Sequence, residues 1–340
     1  MTLENKYLKY DPAAWLLEES DPSIRYLFKK EILKDPDSDA YYEHLLGDIR
    51  IKNILNGSGR ILGSIKKFDI FYRGTMWFFA EAIEHGLDKR TPAVGMTAEY
   101  ILQTFQTRSG GFTLNWEPQH AVSCRTGDMV RFLIGAGLMD DRIKKGIQWI
   151  LRHQRHDGGW LHCPISGLCD QINLVLFRRS GKGLKREERS DTPSCIFASI
   201  ACALALAEYA RKTDTSDHDE IISKAAEYFL NHSLFTGSSK FSIIPNDSRY
   251  NDFTLLGYPV LSQYDILHGL LFIAQIGLFH DRRCGEAFNI IMSKQNEDGT
   301  WNLEEARTGM MYGNTKKNNV GKKSKWVTLK VLRLLNIAGR

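Results

Sequence analysis

Four thiols, Cys124, Cys163, Cys169 and Cys195, lie between positions 124 and 195, and His162 adjoins Cys163. Zinc prefers four sulfur or nitrogen ligands in a tetrahedron. A site closed by four protein ligands is structural, and one with three ligands and an open position is catalytic. The spacing is not that of a zinc finger, so four separately buried thiols are the competing reading. The second candidate is Ser262-Gln-Tyr-Asp-Ile-Leu-His268, which brings Tyr264, Asp265 and His268 together. A carboxyl at the mouth of an apolar cavity has a raised pKa and can donate a proton. An Asp at that place can equally be a helix cap. Arg73 with Trp77, Asp128 beside Cys124, and Asp191 ahead of Cys195 stand at the starts of apolar stretches, where helix N-termini favour anions and thiolates. Phe132 lies within one of those stretches and offers an aromatic wall, although core packing is its ordinary use.

The elements that must position these residues are repeated. Gln106-Thr-Arg-Ser-Gly110-Gly-Phe112, Gln154-Arg-His-Asp-Gly158-Gly-Trp160 and Gln295-Asn-Glu-Asp-Gly299-Thr-Trp301 share one pattern, Gln-x-x-x-Gly-x-aromatic. Each follows an amphipathic helical stretch, 98–105, 142–153 and 287–294, and its Gly sits where a left-handed C-terminal residue is wanted. Upstream of each motif a Gly-Leu pair (86–87, 137–138, 277–278) ends a mostly apolar helix, and an Asp then caps the next one. The apolar helices expected are 74–85, 127–136, 195–209, 264–276 and 326–335; apolar residues wrap most of their circumference, which implies burial on several sides. The unit is inner helix, Gly-Leu turn, Asp-capped outer helix, Gln-Gly-aromatic turn. A decayed copy fits 217–232, with His232 in place of Gln, and an early one fits 41–55. Strand signals are confined to two short stretches in loops, 241–244 and 254–260.

These turns resemble the QW motifs of squalene–hopene cyclases, and similar turns occur in the β subunits of protein prenyltransferases. The resemblance spans roughly residues 40 to 338. It implies an all-α chain folded as a single (α/α) toroid of about five to six helical hairpins, with residues 1–40 as an N-terminal helical extension and 41–340 as the toroid. It also implies an apolar or isoprenoid small molecule in a central cavity, with a diphosphate head near Arg73 or the basic stretch Lys316–Lys325. Family chemistry is carried over less well. Neither the Asp-x-Asp-Asp acid of squalene–hopene cyclases nor Asp-Asp-x-x-Asp is present. The zinc–thiolate patterns of prenyltransferases and lanthionine cyclases are not reproduced either: the nearest elements are Asp191-Thr-Pro-Ser-Cys195 and the reversed His162-Cys163. A fold of this kind does not fix function. The alternative is a non-catalytic toroid that binds a partner and carries a structural or redox-sensitive cysteine–metal site.

Composition bounds these readings. With 43% hydrophobic and 25% charged residues in 340, the chain is globular rather than disordered or fibrous. Its longest apolar run, 196–207, is too short for a membrane span. A cytoplasmic location is expected, with at most peripheral membrane contact. The net charge of +5 comes largely from 178–189 and 316–325, read as solvated loops. These lack the aromatic interleaving of single-strand binders, so nucleic acid is not expected.

Overall fold

A computed structural model describes residues 3, 5–19, 21–55, 74–113, 121–161, 193–235, 252–259, 263–306 and 319–339. Its helices, in chain order, are α1 (Ala13–Leu16), α2 (Pro22–Leu27, continued by a π-helical turn Phe28–Leu33), α3 (Ser38–Gly47), α4 (49–55), α5 (Thr75–Glu84), α6 (Pro92–Phe105), α7 (Ser123–Gly135), α8 (Asp141–Arg152), α9 (Ile196–Thr213), α10 (Asp219–Leu230), α11 (Ile266–Gln275), α12 (Gly285–Ser293) and α13 (Lys325–Ala338). Among the described residues the strands are two-residue segments, β1 (Gly257–Tyr258) paired in parallel with β2 (Glu305–Ala306). The described chain is therefore all-helical in class. No helix in it is long and apolar enough to cross a membrane.

The two kinds of helix read from the sequence differ in burial. In α9, every residue from Ile196 to Ala207 is buried. In α8 only Ile143, Gly146, Ile147, Trp149 and Ile150 are buried, one stripe of an amphipathic helix. The buried helices α5, α7, α9, α11 and α13 each contact the next. The last comes back to the first: Lys330 of α13 pairs with Glu84 of α5 at 3.5 Å, and Trp326 meets the His85 ring edge-on at 4.7 Å.

The repeated glutamines are clamps between outer helices. Gln106 Nε2 donates to its own turn at the Gly110 carbonyl (3.0 Å) and to Arg142 O of α8 (2.8 Å). Gln154 does the same with the Gly158 carbonyl and Ile221 O of α10, at 3.0 and 2.8 Å. Gln295 reaches the Gly299 carbonyl and Tyr10 O, so the last clamp fastens the N-terminal segment. The turn glycine is required at this contact. Gly158 has φ +86°, and a Cβ there would lie 2.1 Å from the Lys224 carbonyl oxygen. The aromatic ties each turn to the rest of its unit. Phe112, Trp160 and Trp301 donate their backbone N–H to hydroxyls on buried helices, Thr126, Ser199 and Thr328. Trp160 and Trp301 also donate their indole N–H to carbonyls of the preceding outer helix, Ile150 and Ile291, both at 2.8 Å.

The Gly-Leu-Asp turns carry a second fastening. An arginine two residues after the Asp forks between that Asp and an acid of the preceding outer element: Arg90 to Asp39, Arg142 to Glu99, Arg283 to Glu227. These pairs are partly exposed and each contributes little alone, about 1 kcal/mol or less. Recurrence fixes the spacing of successive outer helices.

Candidate functional site

A cavity of about 500 Å³ lies at the C-terminal ends of the buried helices. The sequence reading had looked to their N-terminal ends. Among the described residues those ends include a backbone contact: a Cβ on Gly127 of α7 would sit 2.4 Å from the Ala201 carbonyl carbon of α9. Further along, bulkier side chains, Phe132 and Leu204, line open space. The π-helical turn after α2 closes one side through Lys30, Glu31 and Ile32.

The lining has two characters. Leu27, Ile83, Phe132, Leu204, Leu271 and Ile337 are apolar; Arg131, Lys330, Arg333, Glu84, His268 and Arg211 are ionisable, and cations outnumber acids. Helix C-termini carry partial negative charge, which favours cationic side chains at this end. Glu84 is the acid most deeply set among them. Burial pushes its carboxyl up, but Lys330, Arg131 and Arg333 outweigh that and hold it down at about 2.

His268 faces this cavity from α11. Its Nδ1 lies 2.9 Å from Asp265 Oδ1, one turn back. Asp265 also accepts from the His268 backbone N–H at 3.0 Å and from Gly257 N at 3.3 Å, and is fully buried. It is thus the N-cap of α11 and the orienting partner of His268 at once. Of the two readings the sequence offered for it, the helix cap is the one the structure shows, and the capping geometry turns the carboxyl back onto its own helix rather than to the cavity mouth. Burial lowers the His268 pKa, and Asp265 opposes this only in part. The ring is neutral near pH 7, with Nδ1 committed to the carboxylate and Nε2 left as the nitrogen that can reach the cavity.

The other residues singled out from sequence are dispersed. Tyr264 donates its hydroxyl to Leu234 O at 2.6 Å and stacks on Phe229, away from the cavity. Phe132 lines the cavity, with the Arg131 guanidinium 4.6 Å from its ring centroid. Trp77 is buried under the Arg125 guanidinium at 5.0 Å. Asp128 is buried between Arg125 and Arg131, each 3.9 Å away. Arg73, Asp191, His162, Cys163 and Cys169 lie outside the described residues. Cys124 and Cys195 are buried at the starts of α7 and α9. Cys202, in the interior of α9, is close enough that both raise its thiol pKa further after burial has done so. Among the described residues no group of three or more His, Cys, Asp or Glu could hold a metal.

The cavity's cations were missed, although the sequence carries a signal for them. Glu81 and Glu84, Asp128 and Arg131, and Lys330 and Arg333 are charged residues three apart inside otherwise apolar helices. Such a pair marks one helix face, and a face that is charged in a buried helix must meet partners or a cavity.

No protein-family model matches the chain, and no curated protein matches it in sequence. Among solved structures it is similar to the type II terpene cyclase MstE from Scytonema without ligand, at 15% identity over 85% of this chain and 98% of that one, with a TM-score of 0.30. A variant of that cyclase in complex with its substrate geranylgeranyl dihydroxybenzoate gives 15% identity, 88% and 99% coverage and a TM-score of 0.30. A protein from Actinoplanes gives 13% identity, 85% and 100% coverage and a TM-score of 0.34.

Proposed function

We propose that this chain is a closed (α/α) toroid of the terpene cyclase and prenyltransferase kind, and an acid–base enzyme acting on an amphiphilic organic anion held in the cavity. The observation that carries the reading is His268, oriented by Asp265 and lining a space that is part apolar and part charged, with more cations than acids. A neutral imidazole whose Nδ1–H donates to a carboxylate presents a basic Nε2, the arrangement suited to moving one proton to or from a ligand. The cations Arg131 and Lys330 would receive the anionic group, and Leu204, Leu271 and Phe132 the hydrocarbon. An isoprenoid diphosphate has both halves. Diphosphates of ten to twenty carbons should therefore raise the melting temperature through linkage, by about 2.7 kcal/mol of stability at a hundredfold excess over Kd. The corresponding alcohols should act more weakly. A folded protein whose midpoint moves with none of the panel would sink the isoprenoid reading.

A zinc held by Cys124, Cys163, Cys169 and Cys195, with His162 as the substitute ligand, is a second proposal. The closeness of Cys124 and Cys195 to the Cys202 thiol supports it. Metal binding would displace thiol protons, so affinity should fall at acidic pH. Elemental analysis should find about one zinc per chain in wild type and loss of it in Cys124→Ser and Cys195→Ser, since a structural site needs its full ligand set. Wild type produced with zinc and never exposed to chelator, yet metal-free, would rule the site out.

A further inference from the structure

Lys330 is an ammonium in an unusual place. It sits mid-way along the buried helix α13, is 5% exposed, and lines the cavity. Among the described residues its Nζ makes no hydrogen bond. There its ion pair is to Glu84, long at 3.5 Å, and Nζ itself lies over the Tyr258 ring, 5.1 Å from the centroid. A buried lysine kept only for charge balance would be expected to satisfy its three donors. Around it stand Arg333 one turn on, Arg131 from α7, and His268 and Asp265 from α11, all near enough to alter its charge. Burial lowers its pKa, and the two arginines add to this against Glu84 and Asp265.

We propose that Lys330 is a nucleophilic amine that forms an imine with a carbonyl compound bearing an anionic group. The cavity supplies what that step needs. Arg131 and Arg333 would seat the anion and also favour the uncharged amine. The lysine ammonium first gives one proton, relayed through water, to His268 Nε2. The free amine lone pair then adds to the carbonyl carbon as the C=O π pair moves to oxygen, and a proton shift from nitrogen to oxygen gives the neutral carbinolamine. The nitrogen lone pair next expels the hydroxyl, which leaves as water with the proton that His268 held. The product is the protonated imine, so ammonium and carbonyl give iminium and water, with no oxidant or reductant. Glu84 stays ionised beside the iminium and balances its charge.

The inference rests on the cavity being a ligand site, and not on an isoprenoid as its occupant. The full chain is incubated with an equimolar anionic aldehyde, pyridoxal 5′-phosphate, reduced with borohydride, and digested for mass mapping. Lys330 should carry the reduced adduct about tenfold more than any other lysine, as a desolvated amine beside other cations does. Pyridoxal without the phosphate should label it less. Lys330→Arg keeps the charge beside Glu84 and should lose the adduct; the wild-type map stands even if this variant folds poorly. Label spread over exposed lysines with Lys330 unmodified overturns the proposal. If prenyl diphosphates still stabilise the protein in that case, the cavity reading survives and the imine does not. If Lys330 is labelled while the prenyl panel is silent, the isoprenoid falls and the imine stands.

Discussion

Glu84→Gln is expected to destabilise the protein by about 3–5 kcal/mol, the cost of leaving buried charge without its counter-ion. Lys330, Arg131 and Arg333 converge on this carboxylate and hold it ionised. The side chains of Glu84 and Lys330 are only 14% and 6% exposed, so solvent does little of the screening. The amide is nearly the same shape and cannot supply the charge. Urea titrations of Glu84→Gln, Lys330→Met and the double variant separate the pair from the rest of the cluster. The double variant should recover part of the loss, because it removes one of the stranded cations. A single variant within about 0.5 kcal/mol of wild type, the range of ordinary surface substitutions, would mean that water already neutralises this cluster.

Acid should unfold the chain in two stages, and the first belongs to histidine. His85 at the end of α5 is buried, with Nδ1 2.8 Å from Ser23 Oγ. Burial, helped by the nearby Arg50, lowers its pKa from 6.5 to about 4. The folded state therefore holds the ring neutral where the unfolded chain would protonate it. Its stability contribution is complete above about pH 6.5 and is lost as pH falls toward 4, about 3 kcal/mol in all from a shift of that size. His268 is lowered by burial as well and works in the same direction. Below about pH 4.5 Glu84 joins them. Its folded pKa near 2 lies under its ordinary 4.5, so the stability it confers is present above 4.5 and lost toward 2. Denaturation midpoints from pH 7.5 to 4 should fall steeply for wild type and more gently for His85→Asn. Parallel curves for the two proteins would show that His85 is not the group responsible.

Local pattern alone determined the helices and their punctuation. The Gly-Leu turns at 86, 137 and 277 end their helices as expected; Gly110, Gly158 and Gly299 have the expected positive φ but sit inside the turn, beyond the helix caps Gln106, His153 and Lys294. The buried class of 196–207 was equally legible, because a helix apolar all round can only be interior. What each motif fastens was not legible. Gln154 grips Ile221 and Gln295 grips Tyr10, partners 67 and 285 residues distant that no local window contains. The site divides in the same way. Asp265 and His268 are three residues apart on one helix, so sequence could pair them, yet only the capping geometry decided that the carboxylate holds the imidazole. Lys330, Glu84 and Arg131 are far apart in the chain; a second charge three residues away marks the helix face each one belongs to, but nothing local says which faces meet. Their meeting follows from α5, α7 and α13 turning charged faces to one space, which tertiary packing alone brings about.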